Sequence, residues 1–141
     1  MSEAEVQLWR RMSGPDRRHA LGVAREVERA LGDEVSRPVI VAALLHDVGK
    51  IEAGLGTFGR VVATLAGKAA GREMAREWQR GKGFTRRVGL YLRHDTLGAE
   101  LLTMAGSDPL VISWAGEHHH DRSDWTVDPV TADVLKAADG D

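Results

Sequence analysis

The sequence predicts an all-α protein, a single-domain helical bundle over residues 1–141. Three observations carry that expectation. Apolar residues recur at helical spacing along nearly the whole chain. No run of alternating β-branched residues reads as a half-buried strand. Glycines and prolines fall between the periodic stretches rather than inside them. With 141 residues, 43% of them hydrophobic, the chain can build one core without disulfides or other staples.

The first helix is expected over 3–12, with Val6, Leu8, Trp9 and Met12 as its apolar members. Ser13-Gly14-Pro15 ends it. Pro15 suits the first turn of the next helix, where the N–H it lacks would have no partner. His19, Val23, Val27 and Ala30 form one stripe of that second helix, and Gly32 closes it. A third helix from Pro38 to His46 is apolar all round, so it is expected at the buried centre. Further helices are expected at 57–70, 71–81, 84–93, 96–105, 109–119 and 129–138. The letters Gly54-Leu55-Gly56-Thr57-Phe58-Gly59 fit a dinucleotide-binding fingerprint, but no strand precedes them. The stretch reads instead as a loop at 52–59, with Thr57 capping the following helix.

Composition excludes several classes. The longest apolar run, Val39 to Leu45, is far too short to cross a membrane. Acids begin at Glu3 and no basic-then-apolar leader is visible, so the expected location is cytoplasmic, with no membrane partner. There is no cysteine. Any metal must then be held by nitrogen and oxygen, which suits manganese, iron, nickel or zinc better than copper(I) or an iron–sulfur cluster.

Charge is uneven along the chain. Residues 60–93 carry nine basic side chains against Glu73 and Glu77, a net +7 in a chain whose total is −2. This basic helical insertion, at about 52–93, is open to two readings: a solvated face, or a cover that draws an anionic substrate toward a site. Few aromatics accompany it and no recognition motif is present, so nucleic acid is not the expected partner.

The histidines carry the chemistry. His19, His94 and His118 each lie on the apolar stripe of a helix, and His46 ends the buried third helix beside Asp47. Asp139 follows Thr131 and Leu135 at helical spacing, so it also points inward. A lone inward histidine is usually a hydrogen-bonded core residue. Four of them with two aspartates exceed what unassisted packing tolerates, and a divalent metal turns that cost into binding energy. Asp47 is the candidate bridge between two ions. Which of His118 and His119 faces inward is left open, with His118 preferred because it closes the stripe from Val111 and Trp114. His120 reads as a bystander.

On these residues the chain resembles a known family. Ala43-Leu44-Leu45-His46-Asp47-Val48-Gly49-Lys50 is similar to the signature of the HD-domain superfamily. His94-Asp95-Thr96-Leu97-Gly98-Ala99-Glu100-Leu101-Leu102, Glu117-His118-His119 and Ala137-Ala138-Asp139 resemble its later segments. The resemblance implies a helical metal-dependent phosphohydrolase whose ligands are His19, His46, Asp47, His94, His118 and Asp139. Two histidines beyond the minimal set imply two ions, as in bacterial diadenosine tetraphosphate hydrolases. The stretch from Asp47 to His94 is longer than in those enzymes, which leaves the substrate unnamed. The absence of Gly-Tyr-Pro after the third helix argues against the cyclic-di-GMP phosphodiesterase subgroup.

The expected activity is hydrolysis of a small phosphate ester, preferably a nucleotide, by a metal-activated water. Asp47 and Lys50 are the candidate catalytic residues. Lys50 and Arg93 are the candidate phosphate contacts, although Lys50 could instead cap the helix end. Asp95 reads either as an acceptor behind a ligand imidazole or as a surface residue. The alternatives are a dinuclear-iron oxygenase of the same superfamily and a non-catalytic, metal-stabilised regulatory module. A homodimer is compatible with the sequence. Asp139, two residues from the last, is expected to be ordered mainly by the metal.

Overall fold

A computed structural model describes residues 1–51 and 94–140. The helices expected at 57–70, 71–81 and 84–93, the 52–59 loop, Arg93 and the His94 side chain lie outside the described residues. The fold is an all-α single domain, and no strand occurs among the described residues.

Four of the described helices begin where a side-chain cap satisfies their first N–H groups. Ser2 and Glu5 form a reciprocal capping box at the start of α1 (Glu3–Arg11). Ser13 accepts from Asp16 at the start of α2 (Gly14–Leu31), with Pro15 in the first turn. A short 3₁₀ turn, Gly32–Glu34, leads into α3 (Arg37–Leu45). A second 3₁₀ turn, Val48–Lys50, follows the His46-Asp47 pair. Helix α4 spans His94–Met104. Asp108 caps α5 (Pro109–Glu117) and Asp128 caps α6 (Pro129–Asp139), each with proline in the first turn.

Helix α3 occupies the centre, as its uniform apolarity requires. It packs against α2 on one side and α5 on the other. Helix α6 lies against α2, while α4 lies against α5 and the Val48–Lys50 turn. Val27, Ala42, Leu45, Val48, Leu102, Val111, Trp114 and Leu135 are almost wholly enclosed. At about 25 cal/mol per Å² of apolar area, the valine and leucine side chains among them each contribute about 1.5–3 kcal/mol.

Two expectations about helix faces need correction. Ala30 is exposed, so the buried stripe of α2 runs through Ala20, Val23, Ala24 and Val27. His19 adjoins that stripe at its rim, with its side chain 46% exposed, rather than facing the core squarely. On α1, Glu5 is buried beside Leu8. Its second carboxylate oxygen accepts from Ser107 Oγ at 2.8 Å, tying α1 to the loop after α4.

Candidate metal centre

Two glycines bring α4 up to the His-Asp segment. A Cβ built on Gly98 would meet the backbone nitrogen of Gly49 at 3.1 Å. One built on Gly116 would meet the Ala99 Cβ at 3.3 Å. The Gly98-Ala99 pair therefore lets α4 pack backbone-to-backbone on the Val48–Lys50 turn and closely on α5. This approach places Asp95, one turn before Gly98, beside the histidines that end α5.

Residues from four helical segments meet at two buried carboxylates, Asp47 and Asp139. His46 sits at the C-terminus of α3, and Asp47 follows with φ −100° and ψ 18°, turning the chain out of the helix. His46 Nε2 lies 3.3 Å from Asp47 Oδ2 and 3.3 Å from Asp139 Oδ1. His118 Nε2 lies 3.4 Å from the other oxygen, Asp47 Oδ1. His19 Nε2 lies 2.7 Å from Asp139 Oδ1.

The backbone fixes the tautomers. His46 Nδ1 donates to the Ala43 carbonyl at 2.7 Å. His118 Nδ1 donates to the carbonyls of Trp114 and Ala115, at 3.0 and 3.1 Å. A carbonyl can only accept, so each Nδ1 carries hydrogen and each neutral ring aims its Nε2 lone pair at carboxylate oxygens. Among the described residues, His46 Nε2, His118 Nε2 and Asp47 Oδ1 have no hydrogen-bond partner. Lone pairs facing lone pairs in a buried site need a proton or a cation between them.

The ionisation behaviour expresses the same demand. Burial by itself lowers the pKa of His46, but the hydrogen bonds and charges of Asp139 and Asp47 outweigh it and raise it to about 10. Burial works to raise the Asp47 pKa. Contacts with His118 and His46 and the charges of His46 and Lys50 prevail, holding it well below the usual carboxylate range. Asp139 is likewise held low, against burial, chiefly by His46 and then by His19. At 3.3–3.4 Å these contacts sit at the outer edge of hydrogen bonding and count as such only when Nε2 is protonated. A divalent ion can replace that proton, and the donor set of imidazole and carboxylate fits one.

Among the described residues, three groups of donors lie close enough to share an ion, each with its ligand atoms within 4.8 Å of one another. They are His19, His46 and Asp139; His46, Asp47 and His118; and Asp95, His118 and His119. Asp95 and His119 are the members that sequence reasoning undervalued. Two of their separations place them there: His118 Nε2 to Asp95 Oδ1 is 3.9 Å, and His119 Nε2 to the same oxygen is 4.0 Å.

The surroundings hold the donors in place. Lys136 Nζ donates to the His118 carbonyl at 3.0 Å, joining α6 to the end of α5. Buried Glu117 accepts from Thr126 N, Thr126 Oγ1 and Val127 N, clamping the loop after the histidines. The Trp125 indole donates to the His120 carbonyl and its ring meets Trp114 edge-on, so Trp125 braces this loop. Lys50 Nζ lies 3.3 Å from Asp47 Oδ2, with its side chain 31% exposed.

The structure thus gathers His19, His46, Asp47, His118 and Asp139 at one point and sets Lys50 at its edge. His118 is fully enclosed, whereas the His119 side chain is 34% exposed. Asp139 closes α6 just before Gly140, whose φ of 78° ends the helix in the left-handed form favoured by glycine. Its place is supported by the helix cap and by the contact with His19.

A family model described as HD domain matches residues 18–140, a span that takes in every one of these side chains. The chain belongs to the HD-domain family. No curated protein and no solved structure matches it. No helix among the described residues is long and apolar enough to cross a membrane.

Proposed function

From membership of a superfamily of metal-dependent phosphohydrolases, we propose that this chain hydrolyses a small phosphate ester, a nucleotide being the preferred class. Its ions are held by His19, His46, Asp47, His118 and Asp139, with His94 added on the strength of its sequence motif. The observation that carries the reading is the pair of orphaned Nε2 atoms, each aimed at a different oxygen of Asp47. A carboxylate so placed is suited to bridge two ions.

Divalent ions, when bound, supply an acidified water and positive charge for the phosphoryl oxygens. The chain's own residues do the rest. The carbonyls of Ala43, Trp114 and Ala115 fix ring orientation and leave Nε2 as the donor atom. Leu45, Val48 and Trp114 exclude water from behind the site. The half-exposed His19 marks the open side, from which substrate enters. Lys50 steadies Asp47 and offers N–H donors to a phosphoryl oxygen at the rim. The basic stretch 60–93, known from sequence alone, adds long-range attraction for an anion.

The test begins with protein purified without added metal. Its metal content is measured by mass spectrometry, and phosphoesters including nucleotides are screened with manganese, iron, nickel or zinc. Phosphate release is expected to depend on the ion and to fall by about 10³-fold or more in Asp47→Ala. Release that survives this substitution would sink the mechanism. Oxygen uptake by iron-loaded protein would favour the oxygenase instead, and tight metal without turnover a regulatory module.

A further inference from the structure

We propose that Asp95 and His119 are ligands of the second divalent ion, completing a position shared with His118 and with Asp47 Oδ1. The proposal rests on the metal-dependent reading of the same centre and enlarges its donor set. Neither residue belongs to the six positions that the sequence motifs mark.

A neutral imidazole with hydrogen on Nδ1 has one lone pair and serves one ion. His46 Nε2 lies 3.3 Å from both Asp139 Oδ1 and Asp47 Oδ2, and it goes to the first ion because it alone joins the His19–Asp139 pair to Asp47. Among the described residues that the sequence motifs mark, His118 Nε2 is then the imidazole donor left for the second ion. It is wholly buried, has no hydrogen-bond partner among the described residues, and lies between two carboxylates. One is Asp47 Oδ1 at 3.4 Å and the other is Asp95 Oδ1 at 3.9 Å.

The separations suit a common ion. Ligand atoms about 2.1 Å from a metal stand about 3 Å apart at right angles and about 4 Å apart at an obtuse angle. The contacts of 3.4, 3.9 and 4.0 Å around His118 and Asp95 fall in that range. The His118 and His119 rings lie with their centroids 4.1 Å apart. Both imidazoles therefore flank Asp95, and the sequence's choice between them gives way to the use of both. The Asp95 side chain is only 16% exposed, which keeps its charge where an ion gains most from it.

Cobalt(II) is the probe. Metal-stripped protein is titrated with it by calorimetry while visible absorption is recorded. The unaltered chain is expected to take up two ions. Asp95→Ala and His119→Ala should each weaken one of them by about 100-fold or more, the upper end of what loss of an outer partner costs. The absorption of that ion should change with its ligand field, and the other ion should bind as before. His19→Ala should weaken the complementary ion. His119→Gln serves as a second variant, since its partly exposed side chain is not needed for folding, and melting of the stripped protein checks this. Uptake of a single cobalt by the unaltered chain overturns the proposal. So do variants that keep both affinities and both spectra. Phosphate release measured on the same samples separates the two readings. Two ions that respond as expected without turnover remove the hydrolase reading and leave the ligands standing. Turnover with unresponsive variants removes the ligands alone.

Discussion

Stripping the metal should make the protein lose stability as the solution is made more alkaline. His46, ordinarily at 6.5, is raised to about 10 by Asp139 and Asp47. A raised folded-state pKa stabilises fully below the unfolded value and is lost as pH rises through the folded one. Asp47 and Asp139 are lowered, so their contributions are present above the ordinary 3.8 and vanish only in acid. Between pH 6.5 and 9 the His46 proton is therefore the sensitive link. One proton is worth about 1.4 kcal/mol per pH unit, so the loss over that window is about 3 kcal/mol. For a domain of this size it lowers Tm by about 10 °C.

The assay is thermal and urea unfolding of chelator-treated protein at pH 6.5 and pH 9. His46→Gln should flatten the dependence. Metal-loaded protein should show the opposite slope, because ions compete with the His46 proton and bind more tightly as it leaves. Stripped protein whose stability is flat or rises between these pH values would refute the reasoning.

Three further substitutions probe the scaffold. Gly98→Ala and Gly22→Ala make the same chemical change with opposite expected signs. At Gly22 nothing lies within 4 Å, so alanine should stabilise α2 by about 0.5–1 kcal/mol. At Gly98 the new Cβ meets Gly49 backbone at 3.1 Å, and overpacking of about 1–3 kcal/mol should outweigh the helix gain and weaken metal binding. Equal effects in melting and cobalt titration would contradict this. Glu117→Ala removes the acceptors of Thr126 N, Thr126 Oγ1 and Val127 N, and should cost about 1–3 kcal/mol in urea unfolding. An unchanged midpoint would show that the loop does not depend on this clamp.

Four of the described helices were legible because their ends are chemically marked. Ser2, Ser13, Asp108 and Asp128 all act as caps, and Pro15, Pro109 and Pro129 sit in first turns. The inward direction of Asp139 followed from Leu135 one turn earlier, since both lie on the same buried face. Other features depend on tertiary approach. Glu5 is buried only because Ser107 arrives from a distant loop. His118 and His119 could not be separated by periodicity because α5 ends at Glu117, where the helical angle no longer governs the next side chain. Asp95 joins them through the fit of Gly98 on Gly49, a contact between segments far apart in sequence. His94 and the basic stretch 60–93 stand on sequence alone.

The central claim is that the orphaned nitrogens of His46 and His118 face ions bridged by Asp47. Crystals grown with manganese, measured for anomalous scattering, test it most directly. Two peaks are expected, each within about 2.0–2.3 Å of its donors: one between His46 and Asp139, the other at His118, with one Asp47 oxygen on each. Crystals with no peak, and His46 and His118 hydrogen-bonded directly to Asp47, would contradict it.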